Sequence, residues 1–268
     1  MMDTAEFREL VLGYYREHGR ALPWRYVADP YAVLVSEVML QQTPVSRVLR
    51  SYEAFLERFP DMRSLAEAPL ADVLSAWSGL GYNRRARSLK LCAETVLQAH
   101  GGSVPQTLEA LMALPGIGYA TAAQVLAFAY GVPVPFIETN IRAVYIHHFF
   151  ADAEAVPDSA LLPLVAETLD REDPRTWYYA LMDYGTHLKA KGPNPGRRSA
   201  THKRQARFEG SMRQVRGAVL RKLVAGDAQT AEELARTTGF EKVRIAAALE
   251  ALAAEGLLVQ QGRLWRIA

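Results

Sequence analysis

Leu114-Pro115-Gly116-Ile117-Gly118 is a five-residue turn set between two stretches of helical periodicity, Leu108–Ala113 and Ala120–Tyr130. Glycine adopts backbone angles that a side chain forbids, so two glycines in five residues permit a tight hairpin. They also leave N–H groups bare at the start of the following helix, where the dipole favours an anion. A Pro-Gly-x-Gly turn between packed helices is also found as plain structure. Read as a site, it is a helix-hairpin-helix, a clamp on a DNA phosphate backbone.

Outward from that turn the chain reads as short amphipathic helices punctuated by Pro and Gly. Thr4–His18 has Thr4 placed to cap it and Gly19 to end it. Tyr31–Gln41, Val45–Phe59, Ser64–Ala68, Leu70–Trp77 and Arg84–His100 precede the hairpin, with no alternating strand pattern between Pro30 and Tyr130, and Asn140–Phe150, Ser159–Leu169 and Arg175–Leu188 follow it. Gly192-Pro193-Asn194-Pro195-Gly196 is then the candidate boundary. Beyond it come a helix at Val215–Val224, a second opened by the capping box of Thr230 and Glu233 and ended by Gly239, and an Ala/Leu-rich third at Glu241–Glu255. Leu257–Val259 and Leu264–Ile267 flank a short β-hairpin turn. The fold class is therefore all-α with a small C-terminal winged helix-turn-helix of three helices plus a hairpin. Such a module commonly puts a helix into a DNA major groove. A protein-contact role is the other reading, because only Lys242 and Arg244 on its recognition helix reach outward as cations.

The chain has 268 residues, half of them hydrophobic, which suits about two domains with large cores. One cysteine, Cys92, excludes an intramolecular disulfide and any zinc or iron–sulfur site built on several thiolates. His147 and His148 are adjacent and cannot both face one helical metal site, and the remaining histidines show no ligand spacing. Charge interrupts every apolar stretch of the N-terminus, so neither a signal peptide nor a membrane span is expected, and the compartment is the cytoplasm with its nucleoid. The net charge of +2 conceals an asymmetry: Thr186 to Lys222 holds eleven Lys/Arg and one acid, Glu209, for a local +10. That stripe is either a solvated linker or a surface for a polyanion.

Two carboxyl groups carry candidate chemistry. Glu37, in Ser36-Glu37-Val38-Met39-Leu40-Gln41-Gln42-Thr43, shares a helix face with Val33, Leu34, Leu40 and Gln41 and points into a partly buried place. Burial raises a carboxyl pKa and keeps it protonated as a general acid, unless backbone groups simply satisfy it. Glu138, in Ile137-Glu138-Thr139-Asn140, stands at a helix start, where the dipole favours the ionised form. Two carboxyls pushed apart in pKa form an acid/stabiliser pair for cleaving a glycosidic bond.

With these residues in view, the chain from about Leu22 to Gly185 resembles the helix-hairpin-helix (HhH-GPD) DNA glycosylases of base excision repair. The resemblance is nearest to the adenine DNA glycosylase (MutY) branch beside endonuclease III. It rests on Leu22-Pro23-Trp24-Arg25, Pro30-Tyr31, Ser36 to Thr43, Gly79-Leu80-Gly81-Tyr82, Leu114 to Gly118 and Ala180-Leu181-Met182-Asp183-Tyr184-Gly185, in the family's order. It implies a bilobal fold with a cleft between a helical subdomain of 28–130 and a second made of 1–27 and 131–190. A basic linker, 191–212, and the winged helix, 213–268, would follow. It implies that a base is flipped from lesion- or mismatch-bearing double-stranded DNA by a monomeric enzyme, and its N-glycosidic bond hydrolysed.

By the same resemblance Glu37 is the general acid, Glu138 the group that stabilises or attacks the sugar, and Asn140 the neighbour that orients it. Trp24, Arg25, Leu40, Ala120 and Tyr179 fall in the base pocket. Gln41, Gln42 and Tyr82 contact DNA, the last two as wedges, and Gly116 and Gly118 form the backbone clamp, a candidate place also for a monovalent cation. Departures are as informative. The family's four cluster cysteines are missing, with Lys189 at the first position, so no iron–sulfur cluster is expected and Lys189, Lys191, Arg197 and Arg198 take over its phosphate contacts. Ala120 stands where bifunctional relatives carry a Schiff-base lysine, so a monofunctional enzyme is expected. Glu138 replaces an aspartate and Thr139 a glycine, and the pocket positions Ala120 and Tyr179 differ from adenine-specific relatives, which leaves the excised base open. The alternative is a non-catalytic protein that recognises distorted DNA.

Overall fold

The computed structural model describes residues 3–202 and 207–268. Their helices are α1 (Thr4–His18), α2 (Pro30–Leu40), α3 (Val45–Val48), α4 (Tyr52–Arg58), α5 (Met62–Glu67), α6 (Leu70–Ala76), α7 (Arg84–His100), α8 (Leu108–Met112), α9 (Tyr119–Tyr130), α10 (Thr139–Phe149), α11 (Asp158–Thr168) and α12 (Pro174–Lys191). After them come α13 (Met212–Ala225), α14 (Ala231–Thr238), α15 (Lys242–Ala254) and strands β1 (Gln229–Thr230), β2 (Leu258–Gln261) and β3 (Leu264–Ile267). Single 3-10 turns occupy Pro23–Arg25 and Pro195–Arg198.

Two local expectations are corrected. Thr4 is the first helical residue rather than the cap, and its hydroxyl donates to Glu167 at 3.0 Å across the fold. The helix expected over Val45–Phe59 is broken after Val48, where Arg50 and Ser51 bond to carbonyls three residues back and Ser51 takes φ −119°. The capping box of α14 is present, with Glu233 N–H donating to Thr230 Oγ1 at 3.2 Å and Thr230 N–H to Glu233 Oε2 at 2.7 Å.

Contacts group the described residues into two compact units, each with its own core. The first takes those of 1–37, 106–113 and 117–204. Phe7 and Val11 of α1, Phe128 of α9, Tyr145 and Ile146 of α10, Leu161 of α11 and Trp177 and Tyr178 of α12 are fully buried together. Phe7 lies at the centre, edge-on to Trp177 at 6.0 Å and tilted against Tyr145 at 5.3 Å. Because the buried face of α9 (Ala123, Ala127, Phe128) joins this core, α8 and α9 group here and not with the segment that precedes them.

The second unit takes those of 38–105, 114–116 and 205–268. Its centre is Phe55, Phe59 and Trp77 in edge contact at 5.1 and 5.9 Å, beside the Leu89–Cys92–Val96 face of α7. The C-terminal segment belongs to this unit: α13 packs on α6, and the Arg87 guanidinium lies against Gly256. Val215, Val219 and Leu223 of α13 meet Ile245, Leu249 and Leu252 of α15 in its core. The three helices and hairpin expected there are accompanied by β1, so that β3 lies between β1 and β2, antiparallel to both.

The Gly/Pro stretch after α12 is folded rather than a plain linker. Pro195 is buried, the 195–198 turn packs on α10, and Val156 and Ser199 form a parallel bridge. Lys203 and Arg204 of the basic stripe lie outside the described residues. No described helix is long and apolar enough to cross a membrane.

Candidate active site

Helix α2 is apolar on every side, with Val33, Leu34, Val35, Val38 and Met39 all buried, so a carboxylate in its middle has no solvent face to use. Glu37 is 5% exposed and, among the described residues, has no hydrogen-bond partner. Burial, and then the nearby charge of Glu138, pushes its carboxyl up to about 8, with Arg25 pulling the other way. At neutral pH the group is a protonated acid.

Glu138 caps α10. Its Oε1 accepts from the N–H groups of Asn140 at 2.6 Å and Ile141 at 2.8 Å, and its Oε2 from Asn140 Nδ2 at 3.1 Å. The extra methylene relative to aspartate is absorbed by curling the side chain back over its own helix start. Burial raises this carboxyl as well, against the Ile141 and Asn140 donors and the charge of Lys189, all of which lower it. Donors decide which of the coupled pair ionises first: Glu138 has three and Glu37 none, so the first proton leaves Glu138.

A compact cluster supports the Glu37 side. Arg25, 8% exposed, forms a bidentate pair with Asp183 (2.7 and 2.8 Å), and Arg20 adds a backbone and a side-chain bond to the same carboxylate at 2.8 and 2.7 Å. The Arg25 guanidinium lies 4.5 Å over the Tyr179 ring, which also stacks on Phe128 at 4.5 Å and has the Arg175 guanidinium 6.0 Å from its centre. Arg25 Nε remains a buried donor without a partner among the described residues. Trp24 is 2% exposed, while Ala120 in the first turn of α9 and Leu40 at the end of α2 are partly open. Trp24, Arg25, Glu37, Ala120, Glu138, Asn140 and Tyr179 are thus in the first unit, and Leu40 is in the second. Asp183 and Arg20 were given no role by sequence reasoning; the only signal was Asp183 inside a matched motif.

In the second unit, Gln42 and Tyr82 are both exposed and both left-handed, at φ 54° and 48°. Such angles are uncommon outside glycine and hold only when their surroundings enforce them. Arg85, another residue the sequence left without a role, does the enforcing. Its Nη1 donates to the Val38 and Met39 carbonyls at 2.6 and 2.8 Å and its Nη2 to Thr43 Oγ1 at 2.8 Å and the Gly81 carbonyl at 3.1 Å. The guanidinium also lies over Trp77 and Tyr82 at 5.3 and 5.5 Å. One buried cation therefore closes the end of α2 and ties the Gln42 loop to the Tyr82 loop. Gln41, beside Gln42, is partly buried. Gly116 and Gly118 are exposed; Gly116 has φ 77° and sits where a Cβ would lie 2.6 Å from Ser88 Cβ. No side chain of Gly118, the residue before α9, is there to cap its start.

The basic residues divide. Lys191 and Arg197 are exposed. Arg198 donates to the Phe150, Ala151 and Ile146 carbonyls, so it closes the end of α10. Lys189 is half-buried, and its charge acts on Glu138. An iron–sulfur cluster does not fit these residues: Cys92 is the one cysteine, it is buried within α7, and burial pushes its thiol up to about 12. Among the described residues no group of three or more His, Cys, Asp or Glu is placed to hold a metal ion.

Residues 35–161 match the HhH-GPD superfamily of base excision DNA repair proteins. The chain is 39% identical over 228 residues to the adenine DNA glycosylase of Mycolicibacterium smegmatis, covering 78% of each chain. It is 42% identical over 197 residues to the adenine DNA glycosylase of Mycobacterium tuberculosis, covering 69% of this chain and 63% of that one. Among solved structures it is similar to a thermostable thymine-DNA glycosylase, with a TM-score of 0.65 and 25% identity over 72% of this chain and 90% of the other.

Proposed function

The chain belongs to the HhH-GPD superfamily of base excision DNA repair proteins, and from that premise we propose that it is a monofunctional DNA glycosylase working without an iron–sulfur cluster. It is an N-glycosylase of base excision repair. Protonated Glu37 delivers its proton to the departing base as the N-glycosidic bond breaks. The Glu138 carboxylate, held by the start of α10 and by Asn140, faces the cationic sugar that develops, and water completes the hydrolysis. Arg25 and Tyr179 shape the base pocket together with Trp24 and Ala120, and the free Arg25 Nε is a donor for the base edge. Gln42 and Tyr82 wedge into the duplex, while the Gly116–Gly118 hairpin, Lys191 and Arg197 take phosphates. Ala120 offers no amine for an imine, which supports hydrolysis without strand cleavage. The C-terminal helices and hairpin are proposed as a winged helix adding DNA contacts.

The observation that carries this reading is one buried carboxyl held near pKa 8 beside a second that is fixed by three donors. The test is a panel of duplexes with adenine opposite 8-oxoguanine, T or U opposite G, hypoxanthine, and alkylated or etheno bases, each followed by alkali. Alkali-labile sites should form on at least one with wild type and on none with Glu37→Gln. No release from any of them removes the enzyme reading. Engagement of both Glu138 oxygens by its own helix favours the second reading, a protein that binds distorted DNA without cutting it, and this predicts salt-sensitive binding that is identical in wild type and Glu37→Gln.

A further inference from the structure

Lys189 is a half-buried lysine that makes no hydrogen bond or ion pair among the described residues. It stands four residues after Gly185 and three after Thr186 on α12, and so shares their helix face. Those two residues pin α12 onto the start of α10. Gly185 is so close to Asn140 that an added Cβ would strike its carbonyl, and Thr186 Oγ1 donates to Asn140 Oδ1 at 3.3 Å. One turn past this seam, Lys189 is half-buried rather than fully in solvent, and its charge and that of Glu138 act on each other.

We propose that Lys189 is a positioning residue, supplying from α12 the positive charge that keeps the Glu138 carboxylate ionised at the start of α10. The inference rests on the glycosylase reading above, and it replaces the phosphate contact expected from the sequence. The groups around Glu138 leave this task to Lys189. From α2 the facing group is Glu37, which is neutral when protonated. On α10 itself Arg142 also feels the charge of Glu138, but its guanidinium is bound by both carboxylate oxygens of Asp158 of α11 at 2.7 Å, which leaves it largely neutralised. From the 195–198 turn, Arg198 is committed to carbonyls at the far end of α10, and Arg197 is exposed. The influence is mutual: the charge of Glu138 raises Lys189 while burial lowers it, and Lys189 lowers Glu138.

Base release needs Glu138 ionised and Glu37 protonated, so the rate rises with pH through the Glu138 ionisation and falls through that of Glu37. Removing the Lys189 charge raises Glu138 and moves the acid limb to higher pH, by about one unit at the low end of what a neighbouring opposite charge does.

Two measurements on the full chain test this in wild type, Lys189→Met and Lys189→Arg. The first follows Glu138 by carbon NMR of the labelled glutamate carboxyls, assigned with Glu138→Gln, and needs no activity. Its midpoint should rise by about one pH unit in Lys189→Met and return in Lys189→Arg. The second is the single-turnover pH profile on whichever duplex of the panel is cut, where the acid limb should move by the same amount. An unmoved midpoint overturns the proposal. So does a salt slope for duplex binding that drops by about one in Lys189→Met, the signature of a phosphate contact, or borohydride trapping on DNA that is lost with Lys189→Met, the signature of an amine nucleophile. If the midpoint moves while wild type releases no base, the charge pair stands and the glycosylase reading is what fails.

Discussion

Glu37 has nothing to accept its negative charge except the distant help of Arg25, so its ionisation is the most consequential titration in the molecule. Base release should decline as pH rises through about 8, where the acid form is lost. Glu37→Gln should lower the single-turnover rate by about 10²- to 10⁴-fold, the usual range for a general acid. Stability runs in the same direction: a carboxyl whose folded pKa is raised contributes most when protonated, and that contribution disappears as pH climbs from about 4.5 to about 8. Glu37→Gln should therefore melt higher than wild type at pH 9 and lose this advantage near pH 4. A flat difference between the two melting curves would mean that Glu37 ionises freely. The burial of Glu37 was legible in the sequence, because an acid enclosed by Val, Leu and Met on a helix has no exposed face. The work of Arg85 and Lys189 was not, since each acts on carbonyls or a carboxylate brought near only by the fold, over 40 residues away in the case of Val38 and Met39.

Elements were easier to read than their ends. Pro, Gly and apolar spacing located nearly every helix, and the Thr230–Glu233 box was visible because its two partners are three residues apart. The break at Ser51 and the two-residue strand β1 were not legible, for neither changes the hydrophobic period. Arg85 shows what such non-local bonds contribute at this scale. Arg85→Met would leave the Val38, Met39 and Gly81 carbonyls without their donor, at about 1–3 kcal/mol for each acceptor left buried. The loops carrying Gln42 and Tyr82 should exchange amide protons faster, with binding of a duplex weakened and exchange in α12 unchanged. Protection retained around residues 38–43 and 79–83 would show that the loops hold themselves. The basic stripe separates by the same logic. Arg197→Ala should lower the salt slope of DNA binding by about 0.9, whereas Arg198→Ala, which frees the end of α10, should lower the melting temperature and leave the slope alone. The opposite pattern would exchange their roles.

At the scale of the whole molecule, composition marked Gly192–Gly196 as a boundary because Gly and Pro report turns; it could not report that the turn is packed. Charge likewise marked a stripe, but it could not separate exposed Lys191 and Arg197 from inward Arg198 and Lys189. The C-terminal segment is the larger consequence, since its α13 packs on α6 and Arg87 meets Gly256 within one compact unit. Ending the chain after residue 202 should therefore do more than remove a DNA contact. Each Leu- or Val-sized side chain returned to water costs about 1.5–3 kcal/mol, and a domain of this size loses roughly 2–4 °C of melting temperature per kcal/mol. Loss of even two such side chains from the α6 seam lowers the melting temperature of what remains by roughly 6–24 °C. Calorimetry of the full chain should show no separate early transition for 207–268. A shortened chain with an unchanged melting temperature would make the segment an independent appendage, and its contribution would then be read from the salt slope alone.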